Sequence, residues 1–151
     1  MPQHAEKKIL PYSQAQVFAL VADVESYAKF LPWCQGVRVQ SHTTENITAD
    51  LLIGYKVLRE KYTSKVHFLP HEHIKVEYLN GPFKHLHNEW RFRALENGHC
   101  EIDFYIDFEF GNKVLQGLIS GLFFEVVKRM VGAFETEAHR RYGRRASDKL
   151  L

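Results

Sequence analysis

The stretch Cys100–Tyr142, CEIDFYIDFEFGNKVLQGLISGLFFEVVKRMVGAFETEAHRRY, changes its hydrophobic period once, and that change decides the fold. From Cys100 to Phe110 the period is two. Cys100, Ile102, Phe104, Ile106, Phe108 and Phe110 share one face, and acidic residues with Tyr105 take the other. Such alternation predicts a strand with one buried and one wet face, which favours antiparallel pairing. From Lys113 to Tyr142 the period becomes 3.6, and Leu115, Leu118, Ile119, Leu122, Phe123, Val126, Val127, Met130, Val131 and Phe134 make one wide apolar stripe. Asn112 is a candidate N-cap, Arg140 and Arg141 suit the C-terminal dipole, and Gly143 is a stop. The spacing predicts one helix of about 30 residues, roughly 45 Å long, which must lie across the buried face of a sheet.

Upstream, the same period of two recurs from Val37 onward. In 58–68, Leu58, Tyr62, Val66 and Phe68 face one way. In 84–95, Leu86, Trp90, Phe92 and Ala94 do so, with His85, His87, Glu89, Arg91 and Arg93 opposite. Pro70, Asn80-Gly81-Pro82 and Asn97-Gly98 mark turns between runs. Before the sheet, Gln3–Leu10 reads as a strand. Ser13 and Gln16 form a capping box for a first short helix, with Tyr12 and Val17 at the staple positions. A second short helix spans about 24–30 and ends at Pro32. The expected architecture is therefore α+β: an antiparallel curved sheet of about six to seven strands around one long C-terminal helix, with two short helices after the first strand. A twisted sheet wrapped on one helix closes imperfectly, and the gap can be an apolar cavity. From pattern alone the same faces read as a solid core that needs no ligand.

The 151 residues suit one domain, expected over 1–143, with a basic tail at 144–151 that carries Arg144, Arg145 and Lys149. That tail can touch anionic headgroups or RNA, or stay solvated. The chain holds 20 Lys+Arg against 18 Asp+Glu, a formal charge of +2, which argues against a dedicated nucleic-acid binder; no DNA partner is expected. Two cysteines cannot make a disulfide scaffold, and the N-terminus shows neither a signal core nor a presequence pattern. Cys34 lacks a triad-like partner, and the nine histidines set no third ligand at a metal-binding spacing, so neither a catalytic residue nor a metal site is expected.

Several strings, in order, resemble the coenzyme Q-binding protein family of mitochondria and proteobacteria, within the START-like or helix-grip superfamily. They are Phe30-Leu31-Pro32-Trp33-Cys34, Glu60-Lys61-Tyr62-Thr63-Ser64, Gly81-Pro82-Phe83 with Leu86 and Trp90, and Phe108-Glu109-Phe110 leading to Phe123-Phe124. The resemblance covers about residues 4–142, and the lack of a presequence reads as bacterial. It implies a non-catalytic lipid chaperone that binds ubiquinone, a related polyprenylated quinone or a late intermediate, and supports respiration. Ubiquinone is then a bound ligand, no cofactor is implied, and the location is cytoplasmic, peripheral to the inner membrane through transient surface contact. The same family includes a ribosome-association toxin, so a ribosomal partner is the alternative; a cyclase-type enzyme is a second.

The expected cavity wall is Tyr62, Trp90, Phe92, Phe104, Phe108, Leu118, Leu122 and Val126. Glu60, on the same face as Tyr62 and Ser64, is a candidate for hydrogen bonding the ligand or for a rim ion pair. Leu31, Pro32, Trp33 and Phe83 are candidates for the cavity entrance or for membrane contact. Gly117 and Gly121 are expected to permit close approach of the sheet or to make room for ligand. Burying one five-carbon isoprenoid unit from water is worth roughly 3–4 kcal/mol at about 0.8 per carbon. Transfer from a bilayer is near neutral, which suits exchange.

Overall fold

The protein is described by a computed structural model, which defines residues 3–55 and 58–143. The chain runs β1 (Gln3–Leu10), α1 (Gln14–Ala22), a 3-10 turn (Val24–Ser26), α2 (Tyr27–Phe30), β2 (Cys34–His42), β3 (Asn46–Tyr55), β4 (Leu58–Leu69), β5 (His73–Asn80), β6 (Phe83–Ala94), β7 (Cys100–Phe110), α3 (Lys113–Ser120) and α4 (Phe123–Tyr142). The tail residues Arg144, Arg145 and Lys149 lie outside the described residues.

The strands form one seven-stranded sheet in the order β1-β7-β6-β5-β4-β3-β2, antiparallel throughout. The α+β architecture expected from the periodicity is the one observed. Alternation sets the register: Trp90 opposes Phe104, Leu86 opposes Phe108, and Leu51 opposes Tyr62, so the apolar sets of neighbouring strands meet on one concave face. Irregular steps at Cys34/Gly36, Val39/Ser41, Thr63/Ser64 and Phe83/His85 interrupt the ladders, and such steps increase bend and twist.

The capping box forms as the sequence indicates. Gln16 N donates to Ser13 Oγ at 3.1 Å, and Ser13 N donates to Gln16 Oε1 at 3.0 Å. Tyr12 does more than a staple. Its hydroxyl donates to Gly143 O at 2.7 Å and pairs with His139 Nδ1, tying the end of α4 to the start of α1. The second short helix divides into the 3-10 turn and the four residues of α2.

The C-terminal helix departs from expectation. It is not one rod but two helices, of 8 and 20 residues, separated at Gly121 and Leu122. Leu122 N turns back to Ile119 O at 2.9 Å, closing α3 with a tight turn. The Ser120-Gly121 pair supplies the break, because such pairs weaken a helix and Ser120 Oγ bonds back to Gln116 O at 2.7 Å. Asn112 caps α3 through Val114 N and Leu115 N at 2.8 and 3.2 Å. The helix lying across the sheet is thus α4, about 30 Å long.

Near its end, α4 buries Glu137, 5% exposed. Its carboxylate accepts from Arg140 Nε and Nη2 at 2.8 and 2.6 Å and from Arg141 Nε at 2.9 Å; Arg141 also reaches Asp23 at 3.0 Å. These hydrogen bonds, Arg140 first, hold the Glu137 carboxyl down to about 2. A folded value below the unfolded one, about 4.3, stabilises the fold fully above roughly pH 5 and loses that effect as pH falls toward 2. Glu137→Gln is therefore expected to lower stability by about 2 kcal/mol at pH 7. The difference from wild type should shrink below pH 4 in urea titrations at stepped pH. A pH-independent difference would assign Glu137 a packing role instead.

Candidate functional site

Between the concave face and α4 lie two adjoining apolar chambers of about 90 and 70 Å³. Five residues belong to both: Trp33 before β2, Tyr62 on β4, Leu86 on β6, Ile106 on β7 and Met130 on α4. The first chamber continues toward Phe83, Phe108, Phe110, Ile119 and Val126. The second runs inward past Leu31, Ser64, Asn88, Trp90 and Phe134. The positions follow from strand parity. Leu86, Asn88 and Trp90 are alternate residues of β6, and Tyr62 and Ser64 are alternate residues of β4.

Few polar groups enter. Asn88 is occupied, donating from Nδ2 to Tyr105 O at 2.9 Å and accepting from Trp90 Nε1 at 3.1 Å. Tyr62 and Ser64 bring hydroxyls, and burial pushes the Tyr62 phenol well above its ordinary value, so it stays protonated. Trp33 Nε1 is buried without a hydrogen-bond partner among the described residues. Burial pushes the Cys34 thiol up to about 11, which disfavours the thiolate a nucleophile needs.

The structure brings together Tyr62, Trp90, Phe108 and Val126 of the expected wall, with Leu31, Trp33 and Phe83 of the expected entrance. Five further positions differ. Leu118 is 54% exposed, while its neighbour Ile119 is the residue of α3 that faces in. Leu122 sits in the break and joins neither chamber. Phe92 is buried at the far end of β6 against Phe18, rings 5.6 Å apart. Phe104 is buried beside Trp90, at 4.6 Å, but lines only a separate small cleft with Lys8 and Glu135. Pro32 is exposed.

Glu60 is half-buried opposite Ile53 and lines neither chamber. A Cβ at Gly117 or Gly121 would meet nothing within 4 Å, so neither glycine serves close approach of the sheet, and neither lines a chamber. The sequence reading missed Leu86, Asn88, Ile106 and Met130 as wall residues, although strand parity and the helical stripe contain the signal for each.

On the convex face the histidines pair with carboxylates. His73 and His87 reach Glu89 at 2.9 and 2.8 Å, and His85 reaches Asp107 at 3.0 Å. Among the described residues no three His, Cys, Asp or Glu side chains are grouped to hold a metal. No described helix is long and apolar enough to cross a membrane.

A curved antiparallel sheet gripping a C-terminal helix around an apolar gap defines the START-like class. The chain belongs to the family described as polyketide cyclase / dehydrase and lipid transport, which it matches over residues 10–135. It is 34% identical over 145 residues to the ribosome association toxin RatA of Escherichia coli K12, covering 96% of this chain and 92% of that protein. It is 37% identical over 146 residues to the mitochondrial coenzyme Q-binding protein COQ10 homolog B of Xenopus laevis, covering 94% of this chain and 60% of that one. Among solved structures it is similar to an 18 kDa protein of Caulobacter crescentus, with 32% identity, a TM-score of 0.74, and 95% and 100% of the two chains covered. The Zhui aromatase/cyclase of Streptomyces sp. R1128 shares the fold, with a TM-score of 0.81 at 18% identity over 97% of each chain.

Proposed function

We propose that the protein binds a polyprenylated quinone such as ubiquinone between sheet and α4, and carries it without making or breaking bonds. The observation that supports this most is the pair of adjoining, largely apolar chambers at the centre of the fold. Similarity to a coenzyme Q-binding protein over 94% of the chain supports the choice of ligand. Each chamber is smaller than the roughly 150 Å³ cavity that admits benzene, so loading requires opening. The break between α3 and α4 is the natural hinge, since Ile119 and Val126 flank it and wall the first chamber.

Outside that wall, Val114, Leu118 and Phe124 are 72%, 54% and 62% exposed. Phe124 stands 6.0 Å from Phe123, whose ring meets Phe108 of the chamber at 5.1 Å. This apolar surface suits transient contact with a bilayer, leaving Leu118 a docking role rather than a wall role. Changing Leu118 and Phe124 together to Asp should slow quinone transfer between vesicles at least about tenfold, from lost burial of two side chains, while affinity in detergent holds. Unchanged transfer would remove this surface from the account.

Mass spectrometry of an organic extract from gently purified protein tests the proposal. Near-stoichiometric quinone, reduced in Met130→Asp, is expected. Recovery of another lipid class, or equal recovery from both proteins, would overturn it.

A ribosomal role is the second reading, supported by the 34% identity to RatA across 92% of that protein. Against it, the convex face interleaves charges in pairs such as Arg93–Glu101 at 2.9 Å and Lys84–Glu109 at 3.6 Å, rather than forming a basic stripe. Salt-sensitive co-sedimentation with ribosomal subunits would favour the second reading.

A further inference from the structure

Trp33 walls both chambers, yet its indole Nε1 is buried and makes no hydrogen bond with any described residue. Trp90, the other tryptophan, has its N–H paired with Asn88 Oδ1. His85 Nε2 is also buried without a well-directed hydrogen bond, but it lies on the convex face, 3.0 Å from the Asp107 carboxylate. Among the described residues, Trp33 thus has an unmatched donor in a largely apolar site. Native proteins pair nearly all buried donors, because an unmade bond destabilises the fold. The first chamber offers a water almost none of the about two to four polar neighbours it needs, and the second offers the Tyr62 and Ser64 hydroxyls and Asn88, which is already engaged.

We infer that Trp33 Nε1–H donates to a carbonyl oxygen of the bound headgroup, and that the cavity thereby prefers the oxidised quinone to its hydroquinone. The inference rests on the lipid-binding proposal and adds which chemical form is held. An indole N–H only donates, and a quinone carbonyl only accepts, so the two match. Tyr62 and Ser64 can each donate a further hydroxyl proton to the same headgroup. A hydroquinone brings two protons that need acceptors, and with the Asn88 oxygen already accepting from Trp90 it is left the Tyr62 and Ser64 hydroxyl oxygens, whereas a quinone carbonyl can be served by all three donors. An oxygen-free alkylbenzene of equal length satisfies no donor and gains only from burial.

The test measures displacement of a fluorescent lipid from the full chain by decylubiquinone, its hydroquinone under anaerobic reduction, and decylbenzene. Decylubiquinone should bind the wild type about fivefold tighter than the hydroquinone. Trp33→Phe, which keeps an apolar ring and deletes the donor, should weaken decylubiquinone about fivefold and bring the quinone-to-hydroquinone ratio close to one. It should leave decylbenzene within about twofold. The unliganded variant should melt no lower than wild type, because an unpaired donor has been removed. Equal affinity of the wild type for all three probes would overturn the donor assignment and leave lipid binding standing. So would a Trp33→Phe variant that loses all three equally. The wild-type comparison needs no variant and decides the matter if Trp33→Phe does not fold. Failure of the wild type to bind any probe would overturn the lipid-binding proposal itself.

Discussion

Phe134→Ala is expected to destabilise the fold by about 3–5 kcal/mol, the range for removing a buried aromatic ring. Phe134 is 4% exposed on the inner face of α4. Its ring meets Trp90 of the sheet at 5.0 Å, Tyr27 at 5.4 Å and Phe30 at 5.3 Å, each edge-on. One side chain thus joins the sheet, α2 and the long helix. Those partners are themselves large rings fixed by other contacts, so the surroundings can collapse only partly. With domain stabilities of roughly 5–15 kcal/mol, the loss would take a large share of the total. Urea unfolding at neutral pH, read as a shift in midpoint at constant slope, measures it. A loss below about 1 kcal/mol would mean that α4 is not anchored at this point.

Ile106→Trp carries the second large effect. Ile106 sits on β7 opposite Asn88 and is common to both chambers. The indole extends into the space assigned to ligand. If it displaces the equivalent of three ligand carbons, at about 0.8 kcal/mol each, quinone affinity falls about fiftyfold. Stability should change by less than about 1 kcal/mol, because the added ring occupies existing void. In a fully packed core the same substitution destabilises by about 1–3 kcal/mol. Denaturant titration and ligand displacement on one preparation separate the two cases. A clear loss of stability with quinone affinity unchanged would make the chambers ordinary packing defects.

Strand parity made the sheet legible from sequence. The alternation in Cys100–Phe110 and in 84–95 names the concave face of β7 and β6 correctly. It does not say how far along that face the helix covers the sheet. Phe92 and Phe104 share parity with Trp90, yet Phe92 lies beyond the chambers, against Phe18, and Phe104 lines a separate cleft. Glu60 has the parity of Tyr62, yet it is its partner Ile53 on β3 that lines a chamber. A one-residue difference in how α3 is rotated separates buried Ile119 from exposed Leu118, and the stripe, which contains both, does not fix that rotation. The apolar stripe continues through the break, so periodicity alone conceals it; Ser120-Gly121 was the available signal. Asn88 falls on the inward face by parity and lines the second chamber, while Tyr62, among the aromatic choices, lines both. The unmatched Trp33 donor had no sequence signal, since hydrogen-bond satisfaction depends on neighbours brought from distant strands.

Methyl-resolved NMR during a decylubiquinone titration tests whether the ligand lies between sheet and α4. The Met130 and Ile106 methyls should shift and saturate together, while those of Ile9 and Leu69, exposed at 55% and 54%, stay in place. Shifts confined to exposed methyls, or none at saturating quinone, would contradict the account.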